Sequence, residues 1–435
     1  MKKSKYNFFI KYSDDEYIAY NSLTNALAIV TEKEYLSFSN DIESLSENEL
    51  KNFKYGGFLI DDQVDELELI RFYSSYFKFS RRTLGLTIAP TLECNFRCIY
   101  CYEKDQNNNF TMNFTTQENL LDFINNRIKH TDRLDITWYG GEPLLAISII
   151  ENLSQKIIEI CDKNQVAFSA GIITNGYLLD EKCCETLKRC KITFVQITLD
   201  GTKEIHDKRR ILKDGSGSFD QIIENLKGMK NFKFDIALRV NVDTNNEKAF
   251  SDLIECLEKN NLLKYVDPYM AIVTPTNNRY SKEICFSPEK AAISIENSNK
   301  LLESKNKKIA IEYPANRFNF CGADNINSFV IDPWGNVYSC WNEIGIESAV
   351  IFNIDKQKND AIEYDRKNLF NKLKFLMYDP TNNEQCKECK CLPICMGGCP
   401  YERLQTMNKC NDFKYNLDNI LIRYVKNQSK ISSTN

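Results

Sequence analysis

The chain is poor in histidine, in long apolar runs and in net charge. It has only two histidines, His130 and His206, so a metal site must be built almost entirely from other side chains. No apolar run is long enough to cross a bilayer, and the start MKKSKYNFFIKYSDDEY lacks the apolar core and cleavage site of a secretory signal. A formal net charge of −4 argues against nucleic acid as the main partner. We therefore expect a cytoplasmic protein that binds neither membranes nor nucleic acid.

Cysteine is abundant instead, with 17 in 435 residues. Because there is no export signal, a disulfide scaffold is the less favoured interpretation. Many thiols and few imidazoles favour iron–sulfur or zinc chemistry.

The pattern of apolar and polar residues changes along the chain and predicts four segments. Residues 1–80 combine short β-favouring runs with helical patterns and predict a small α+β unit. Residues 81–310 alternate helical patterns with six strand-like runs, LGLTIAP, LDITWYGG, AFSAGIITNG, ITFVQITLDG, FDIALRVNVD and YVDPYMAIV. This alternation is typical of an α/β fold with a parallel sheet, open or curled into a barrel. Residues 311–412 are dense in cysteines and turns and predict a small domain held by metal, and residues 413–435 predict a C-terminal helix and tail.

The stretch CNFRCIYCY places Cys94, Cys98 and Cys101 just after the first predicted barrel strand. Structural zinc sites usually pair two C-x2-C knuckles, and C-x3-C-x2-C is not that spacing. It fits a short loop around a four-iron cluster that takes three thiolates and leaves one iron for an outside ligand. Functional residues of such barrels gather at the carboxyl ends of the strands, where this loop lies.

This loop resembles the signature of the radical S-adenosylmethionine (SAM) superfamily. The resemblance implies a partial (β/α)6 barrel and a [4Fe–4S] cluster whose open iron binds the amino and carboxylate groups of SAM. It also implies that SAM is cleaved to a 5′-deoxyadenosyl radical with an electron from an external donor such as flavodoxin or ferredoxin. Tyr100 matches the aromatic position that packs near the adenine.

The motif Gly140-Gly141-Glu142-Pro143 ends the second strand and resembles the GGEP motif of the same superfamily. The resemblance implies that it meets the SAM amino group through backbone and carboxylate. Glycines permit a close backbone approach, and an acid pairs with an ammonium group.

Polar residues also end the third and fifth strands. Thr174 and Asn175 close the third, and Arg239 and Asn241 lie two apart, on one face of the fifth. By resemblance, these four line the ribose and carboxylate of SAM. His206 follows the fourth strand in DGTKEIHDKRR and is interpreted as a residue that braces a loop rather than a catalytic one.

A second set of cysteines has the spacing C-x13-G-x4-C followed by C-x2-C-x5-C-x3-C and one more cysteine. The seven are Cys321, Cys340, Cys386, Cys389, Cys395, Cys399 and Cys410. The spacing resembles the SPASM domain, which binds two auxiliary [4Fe–4S] clusters. The family pattern implies that Cys321, Cys340 and Cys399 hold the first cluster and that the other four hold the second. The expected total is three [4Fe–4S] clusters.

Two cysteines near this pattern have no assigned ligand role. Cys391 has no counterpart in the motif and is treated as spare. Cys285, 36 residues before Cys321, either completes the first auxiliary cluster or leaves it with an open iron. An open iron there is expected to bind a substrate thiolate.

Radical SAM enzymes with a SPASM domain mostly modify peptides or proteins. Residues 1–80 have the order of elements of a winged-helix-like, leader-peptide-binding unit, although a plain capping subdomain is nearly as well supported. We therefore expect a maturase that takes a hydrogen from a ribosomally made precursor peptide with a leader, and forms a thioether crosslink.

Several alternatives stay open. They are carbon–carbon crosslinking, action on free small molecules or on a quinone-cofactor precursor, and a non-catalytic iron–sulfur redox protein. An anaerobic sulfatase maturase, which forms formylglycine, is disfavoured because Trp341 occupies the position where that activity would need an aspartate.

Overall fold

The computed structural model describes residues 1–103, 110–276, 280–309, 311–356, 366–405, 410 and 413–432. These residues form sheets of two, three and nine strands. The predicted domain limits at residues 310 and 412 lie outside the described residues. No helix in the ranges just given is long and apolar enough to cross a membrane.

The N-terminal unit places short strands before helices. Its elements are β1 (Lys2–Lys3), β2 (Asn7–Lys11), β3 (Glu16–Asn21), β4 (Leu27–Thr31), α1 (Glu32–Asn40), α2 (Glu47–Tyr55), β5 (Leu59–Ile60) and α3 (Glu66–Lys78). Strands β2, β3 and β4 form an antiparallel sheet with β3 in the centre, so β4 is an edge strand. Helices α1 and α2 begin with capping boxes, Thr31 with Glu34 and Ser46 with Glu49, which satisfy free backbone donors.

The middle of the chain alternates strands and helices. Its elements are β6 (Thr83–Ile88), α4 (Phe114–Arg127), β7 (Arg133–Trp138), α5 (Ile147–Asn164), β8 (Ala167–Thr174), α6 (Glu181–Arg189), β9 (Ile192–Thr198), α7 (Lys203–Arg209), α8 (Phe219–Met229), β10 (Asp235–Val242), α9 (Ala249–Lys259), β11 (Asp267–Ile272) and α10 (Pro288–Ser304). The six strands are parallel and adjacent in chain order. The predicted α/β class and its six strands are confirmed. All six carboxyl ends therefore face one side.

The sheet continues beyond the six predicted strands. Strand β12 (Ser328–Ile331) pairs in parallel with β6, and β13 (Asn336–Tyr338) and β14 (Phe352–Asn353) follow antiparallel. Phe329 and Ile331 of β12 lie in the same buried core as the barrel strands. The sequence predicts a separate metal-held domain from residue 311, and the structure shows its first part extending the barrel sheet instead.

A long final helix joins the N-terminal unit to the barrel. The remaining helices are α11 (Arg366–Leu376), α12 (Glu384–Lys387), α13 (Leu392–Cys395), α14 (Pro400–Leu404) and α15 (Phe413–Ser432). Leu421 of α15 is fully buried in one cluster with Ile18 of the N-terminal sheet. Arg423 of α15 forms a buried ion pair with Glu296 of α10. Helix α15 therefore stabilises the contact between the two parts of the chain.

We expect Leu421→Ala to lower stability by about 2–5 kcal/mol, because it removes a buried side chain and leaves a cavity. The matched control is Leu36→Ala on α1, where leucine is 46% exposed and should cost much less. Urea unfolding followed by circular dichroism measures both variants. Equal unfolding midpoints for the two would contradict the packing role of α15.

Candidate active site

Three cysteines line one cavity at the carboxyl end of the first barrel strand. We call residues 94–101 the cluster loop, and Cys94, Cys98 and Cys101 belong to it. The cavity of about 320 Å³ is also lined by Phe96, Arg97, Glu103 and Gly141. No three His, Cys, Asp or Glu side chains among the described residues converge closely enough to bind a single metal ion. Thiolates on one zinc ion would lie within about 4 Å of each other, so thiols spread around a cavity fit a multi-iron cluster better.

The cluster loop is held by a neighbouring stretch of backbone. We call residues 209–213, which follow α7, the brace segment. Arg97 N–H donates to the Ile211 carbonyl at 2.8 Å and Ile99 N–H to the Arg209 carbonyl at 3.0 Å. Lys213 N–H donates back to the Asn95 carbonyl at 2.8 Å. These bonds fix the loop while the cysteine side chains stay directed at the cavity.

The two glycines of the GGEP motif touch the backbone that enters the cluster loop. A Cβ atom on Gly140 would lie 2.4 Å from the Thr91 carbonyl oxygen, and one on Gly141 would lie 2.4 Å from the Glu93 carbonyl oxygen. Gly140 also has φ of +117°. Only glycine fits both positions without moving the loop, as the close approach inferred from the sequence requires.

Glu142 is buried and bonds to three protein donors. Its Oε1 accepts from Thr174 Oγ1 at 2.7 Å and from Leu144 N–H at 3.0 Å, and its Oε2 accepts from Asn175 N–H at 2.7 Å. Pro143 is buried beside it in the turn that follows. The carboxylate therefore ties the end of β7 to the end of β8, and its contact with the SAM amino group stays a prediction.

The third strand end also reaches the cluster loop. Asn175 Nδ2 donates to Asn95 Oδ1 at 2.8 Å. The structure thus brings Asn175 into contact with the cluster loop, whereas Thr174 reaches it only through Glu142.

Tyr100 joins the cluster loop to the fifth strand. Its hydroxyl oxygen accepts from Asn241 Nδ2 at 2.9 Å and from Arg210 Nη1 at 2.8 Å. Arg239 Nε donates to Asn241 Oδ1 at 2.8 Å. Burial raises the Tyr100 pKa well above its ordinary value, so it remains a neutral phenol. The predicted residues Tyr100, Arg239 and Asn241 therefore form one bonded group.

His206 braces the fourth strand end, as its sequence context suggests. Asp200 N–H donates to His206 Nδ1 at 3.2 Å, and Nε2 lies 3.0 Å from Ser218 Oγ, which donates to the Arg210 carbonyl. Burial, assisted by the charges of Arg210 and Arg209, lowers the His206 pKa well below its ordinary value. A neutral ring with both nitrogens engaged holds the brace segment in place.

Three further charged residues, Glu103, Arg209 and Arg210, lie at the site although no motif in the sequence marks them. Arg209 forms buried ion pairs with Asp200 at 3.2 Å and Asp243 at 2.8 Å. Glu103 is buried at the cavity, and its Oε1 has no partner among the described residues. Only their positions in the sequence could have indicated them. Glu103 lies two residues after Cys101, and the two arginines end the stretch DGTKEIHDKRR after the fourth strand.

The C-terminal cysteines form two groups. Cys386, Cys389, Cys395 and Cys410 line a cavity of about 430 Å³ together with the unassigned Cys391. In the second group, burial raises the pKa of Cys321 and Cys340, and charge on Cys399 raises both further. The structure thus brings four of the seven cysteines to one cavity, which Cys391 also lines, and the assignment of the seven to two clusters stays a prediction.

Comparisons with known proteins agree with this geometry. Residues 88–257 match the model of the Radical SAM superfamily. An uncharacterized protein of Methanocaldococcus jannaschii is 37% identical over 146 residues, which cover 33% of this chain and 46% of that protein. A cysteine-type anaerobic sulfatase-maturating enzyme of Clostridium novyi is 26% identical, and the alignment covers 73% of this chain and 88% of the enzyme.

Two solved structures share the fold. The structure of anSMEcpe with bound AdoMet and the Cp18Cys peptide has a TM-score of 0.62 at 20% identity, and the match covers 78% of this chain and 98% of that chain. The structure of Streptococcus suis SuiB bound to the precursor peptide SuiA has a TM-score of 0.55 at 14% identity. That match covers 94% of this chain and 98% of the SuiB chain.

A parallel α/β sheet with a three-thiol loop at its carboxyl side defines an iron–sulfur enzyme. Residues 88–257 carry a radical SAM domain, and that family implies a [4Fe–4S] cluster and SAM as cofactors.

We expect the stability of the cluster-free protein to fall as pH rises from 5 to 7.5, in part because of Glu103. Burial raises the Glu103 pKa from 4.5 to about 7, so the folded state holds this proton more tightly than the unfolded state. The stabilisation that this bound proton provides is complete below the pKa of Glu103 in the unfolded state. It is lost as pH rises through the pKa of Glu103 in the folded state. The loss is on the order of 3 kcal/mol.

Glu103→Gln mimics the protonated acid, so it should flatten this pH dependence. Glu159→Gln removes an exposed carboxylate on α5 and should behave as the unmodified protein does. Urea unfolding at several pH values measures the effect. The assignment is wrong if Glu103→Gln leaves the slope unchanged.

Proposed function

We propose that this chain is a radical SAM/SPASM maturase that forms a thioether crosslink in a ribosomally made precursor peptide. The observation that carries the proposal is the N-terminal unit in front of the barrel. The SuiB fold extends over 94% of this chain, whereas the anSMEcpe fold extends over 78%. SuiB is described as bound to a precursor peptide, and a peptide with a leader is the substrate proposed for this chain.

A groove beside the N-terminal sheet supports leader binding. The edge strand β4 and helix α15 line it through Leu27, Ala28, Ile29, Tyr424, Val425, Gln428 and Ser429. Ile29 is 48% exposed there. An extended peptide can add to such an edge through main-chain hydrogen bonds, with alternate side chains entering the groove.

Each part of the barrel site has a proposed task. Cys94, Cys98 and Cys101 would hold the SAM-binding cluster, which together with SAM supplies the 5′-deoxyadenosyl radical that takes a hydrogen from the peptide. Gly140 and Gly141 have no side chain, so the backbone after β7 can lie directly against the backbone that enters the cluster loop. Tyr100, Arg239 and Asn241, which are joined by hydrogen bonds, would contact SAM.

The C-terminal cysteines are proposed to hold two auxiliary clusters. Cys386, Cys389, Cys395 and Cys410 already surround one cavity and need no further ligand. The group of Cys321, Cys340 and Cys399 lies by β12 and β13. Ile284, the residue before Cys285, accepts from Thr244 N–H just after β10, and four strands separate β10 from β12 in the sheet. This separation favours an open iron in the first auxiliary cluster, where a peptide thiolate would bind.

A substrate thiolate held at this position would be oriented for bond formation. Iron held by Cys321, Cys340 and Cys399 would lower the pKa of a substrate thiol and so favour its thiolate. A carbon radical on the same peptide would form the carbon–sulfur bond, and the one surplus electron would pass to the auxiliary iron. An external flavodoxin or ferredoxin is the proposed donor of the electron that starts each turnover.

Formylglycine formation is a second candidate, because the Clostridium novyi sulfatase-maturating enzyme aligns over 88% of its length. Trp341, which follows Cys340, is 43% exposed and stacks on Tyr139. The nearest following acid, Glu343, is buried and accepts from Lys374 Nζ at 2.6 Å. Glu343 Oε2 has no partner among the described residues, so the preference for crosslinking rests on Trp341 in the place where an aspartate is expected.

We expect the unmodified protein to bind about twelve irons, four in each of three clusters. Cys386→Ala should lower this to about eight, because it removes a ligand of the second auxiliary cluster. Cys391→Ala is the matched control, since it removes a thiol from the same cavity and should leave the count unchanged. Iron and sulfide analysis after anaerobic reconstitution measures both. Zinc in place of iron would refute the cluster assignment.

We expect co-expression with a cysteine-containing precursor peptide encoded beside the gene to produce a peptide lighter by two hydrogens per crosslink. One cysteine should then resist alkylation by iodoacetamide, which separates a thioether from a carbon–carbon bond. Cys98→Ala should give unmodified peptide. Mass spectrometry reads all three results, and 5′-deoxyadenosine reports SAM cleavage. Formylglycine instead of a crosslink would support the sulfatase-maturase candidate, and no 5′-deoxyadenosine would support a redox protein.

A further inference from the structure

Arg210 is a buried cation without a carboxylate partner among the described residues. Its side chain is 8% exposed, Nη1 donates to Tyr100 Oη at 2.8 Å, and Nε has no partner in the part of the chain that the structure describes. The adjacent Arg209 differs, because Asp200 and Asp243 neutralise it.

A buried guanidinium needs an anion, since leaving it unpaired in a low-dielectric interior costs several kcal/mol. The contacts of Arg210 lead to the cluster loop: the guanidinium lies 5.5 Å from the centre of the Phe96 ring, and Tyr100 precedes the last cysteine. Asp200 and Glu142 are the carboxylates whose charges reach the guanidinium, but their oxygens accept hydrogen bonds from other residues. The guanidinium therefore lies against the loop that carries the three cysteines without a carboxylate of its own.

We propose that Arg210 is the counter-cation of the iron–sulfur cluster held by Cys94, Cys98 and Cys101, and that it raises the reduction potential of that cluster. This inference rests on the proposed cluster. Reduction adds one electron and one negative charge to the cluster. A fixed positive charge nearby therefore stabilises the reduced form more than the oxidised form.

Arg210 acts as a positioning residue as well as a charge. Its bond to Tyr100 and the backbone bonds of the brace segment place the guanidinium against the loop rather than in the cavity. It can thus act on the cluster without blocking the position left for SAM.

Four variants separate charge from packing. Arg210→Gln removes the charge, and Arg210→Lys keeps it. Tyr100→Phe removes the hydrogen bond but leaves the guanidinium. Lys213→Gln removes an exposed charge from the same brace segment. All four are studied as the full chain after anaerobic reconstitution, with iron content measured first.

The midpoint potential of the SAM-responsive cluster signal is then measured by electron paramagnetic resonance (EPR). We expect a more negative potential in Arg210→Gln, a smaller shift in the same direction in Tyr100→Phe, and values near that of the unmodified protein in Arg210→Lys and Lys213→Gln. If Arg210→Gln fails to bind this cluster, recovery of iron by Arg210→Lys supports the charge role, and failure of both overturns it.

An unchanged potential in Arg210→Gln with full iron content overturns the assignment of Arg210 alone. An unmodified protein without any SAM-responsive signal overturns the proposed cluster and this inference with it. The two failures are therefore distinguishable.

Discussion

The site depends on a backbone clamp that keeps three thiols apart around a cavity. The cluster loop takes no regular secondary structure, so its backbone polar groups need partners from elsewhere. The brace segment supplies them, and the two close-packed glycines of the GGEP motif support the loop from the other side. With the backbone satisfied in this way, the loop needs no fourth protein ligand. One iron can remain available to SAM.

Aromatic contacts link the cluster loop to the first auxiliary group. Tyr139, which follows β7, stacks on Trp341. Its hydroxyl group also forms a hydrogen bond with that of Tyr102, the residue after the cluster loop. Trp341 is adjacent to Cys340, a proposed ligand of the first auxiliary cluster. The SAM site and the first auxiliary group are thus joined through packed aromatic side chains, and β12, which pairs with β6, holds both on one continuous sheet. A substrate between them would contact both sites.

The sequence was sufficient to predict the features that depend on local residue patterns. Strand–helix alternation predicted the parallel sheet, and cysteine spacing predicted the groups that the structure brings together. It was insufficient where partners are distant in the chain. The four-residue strand β12 is too short to show a period, and nothing near Glu142 indicates that Thr174 and Asn175 occupy its oxygens. Arg209 and Arg210 look alike in sequence, and only the fold shows that one is neutralised and the other is not.

The most direct test of the three-thiol site is the EPR spectrum of the reduced protein before and after SAM is added. An iron that the chain leaves open must change its electronic environment when SAM binds to it. We therefore expect SAM to alter the signal of one cluster, and Cys94→Ala to abolish that response while the auxiliary signals remain. A spectrum that SAM leaves unchanged in the fully reconstituted protein would contradict the account.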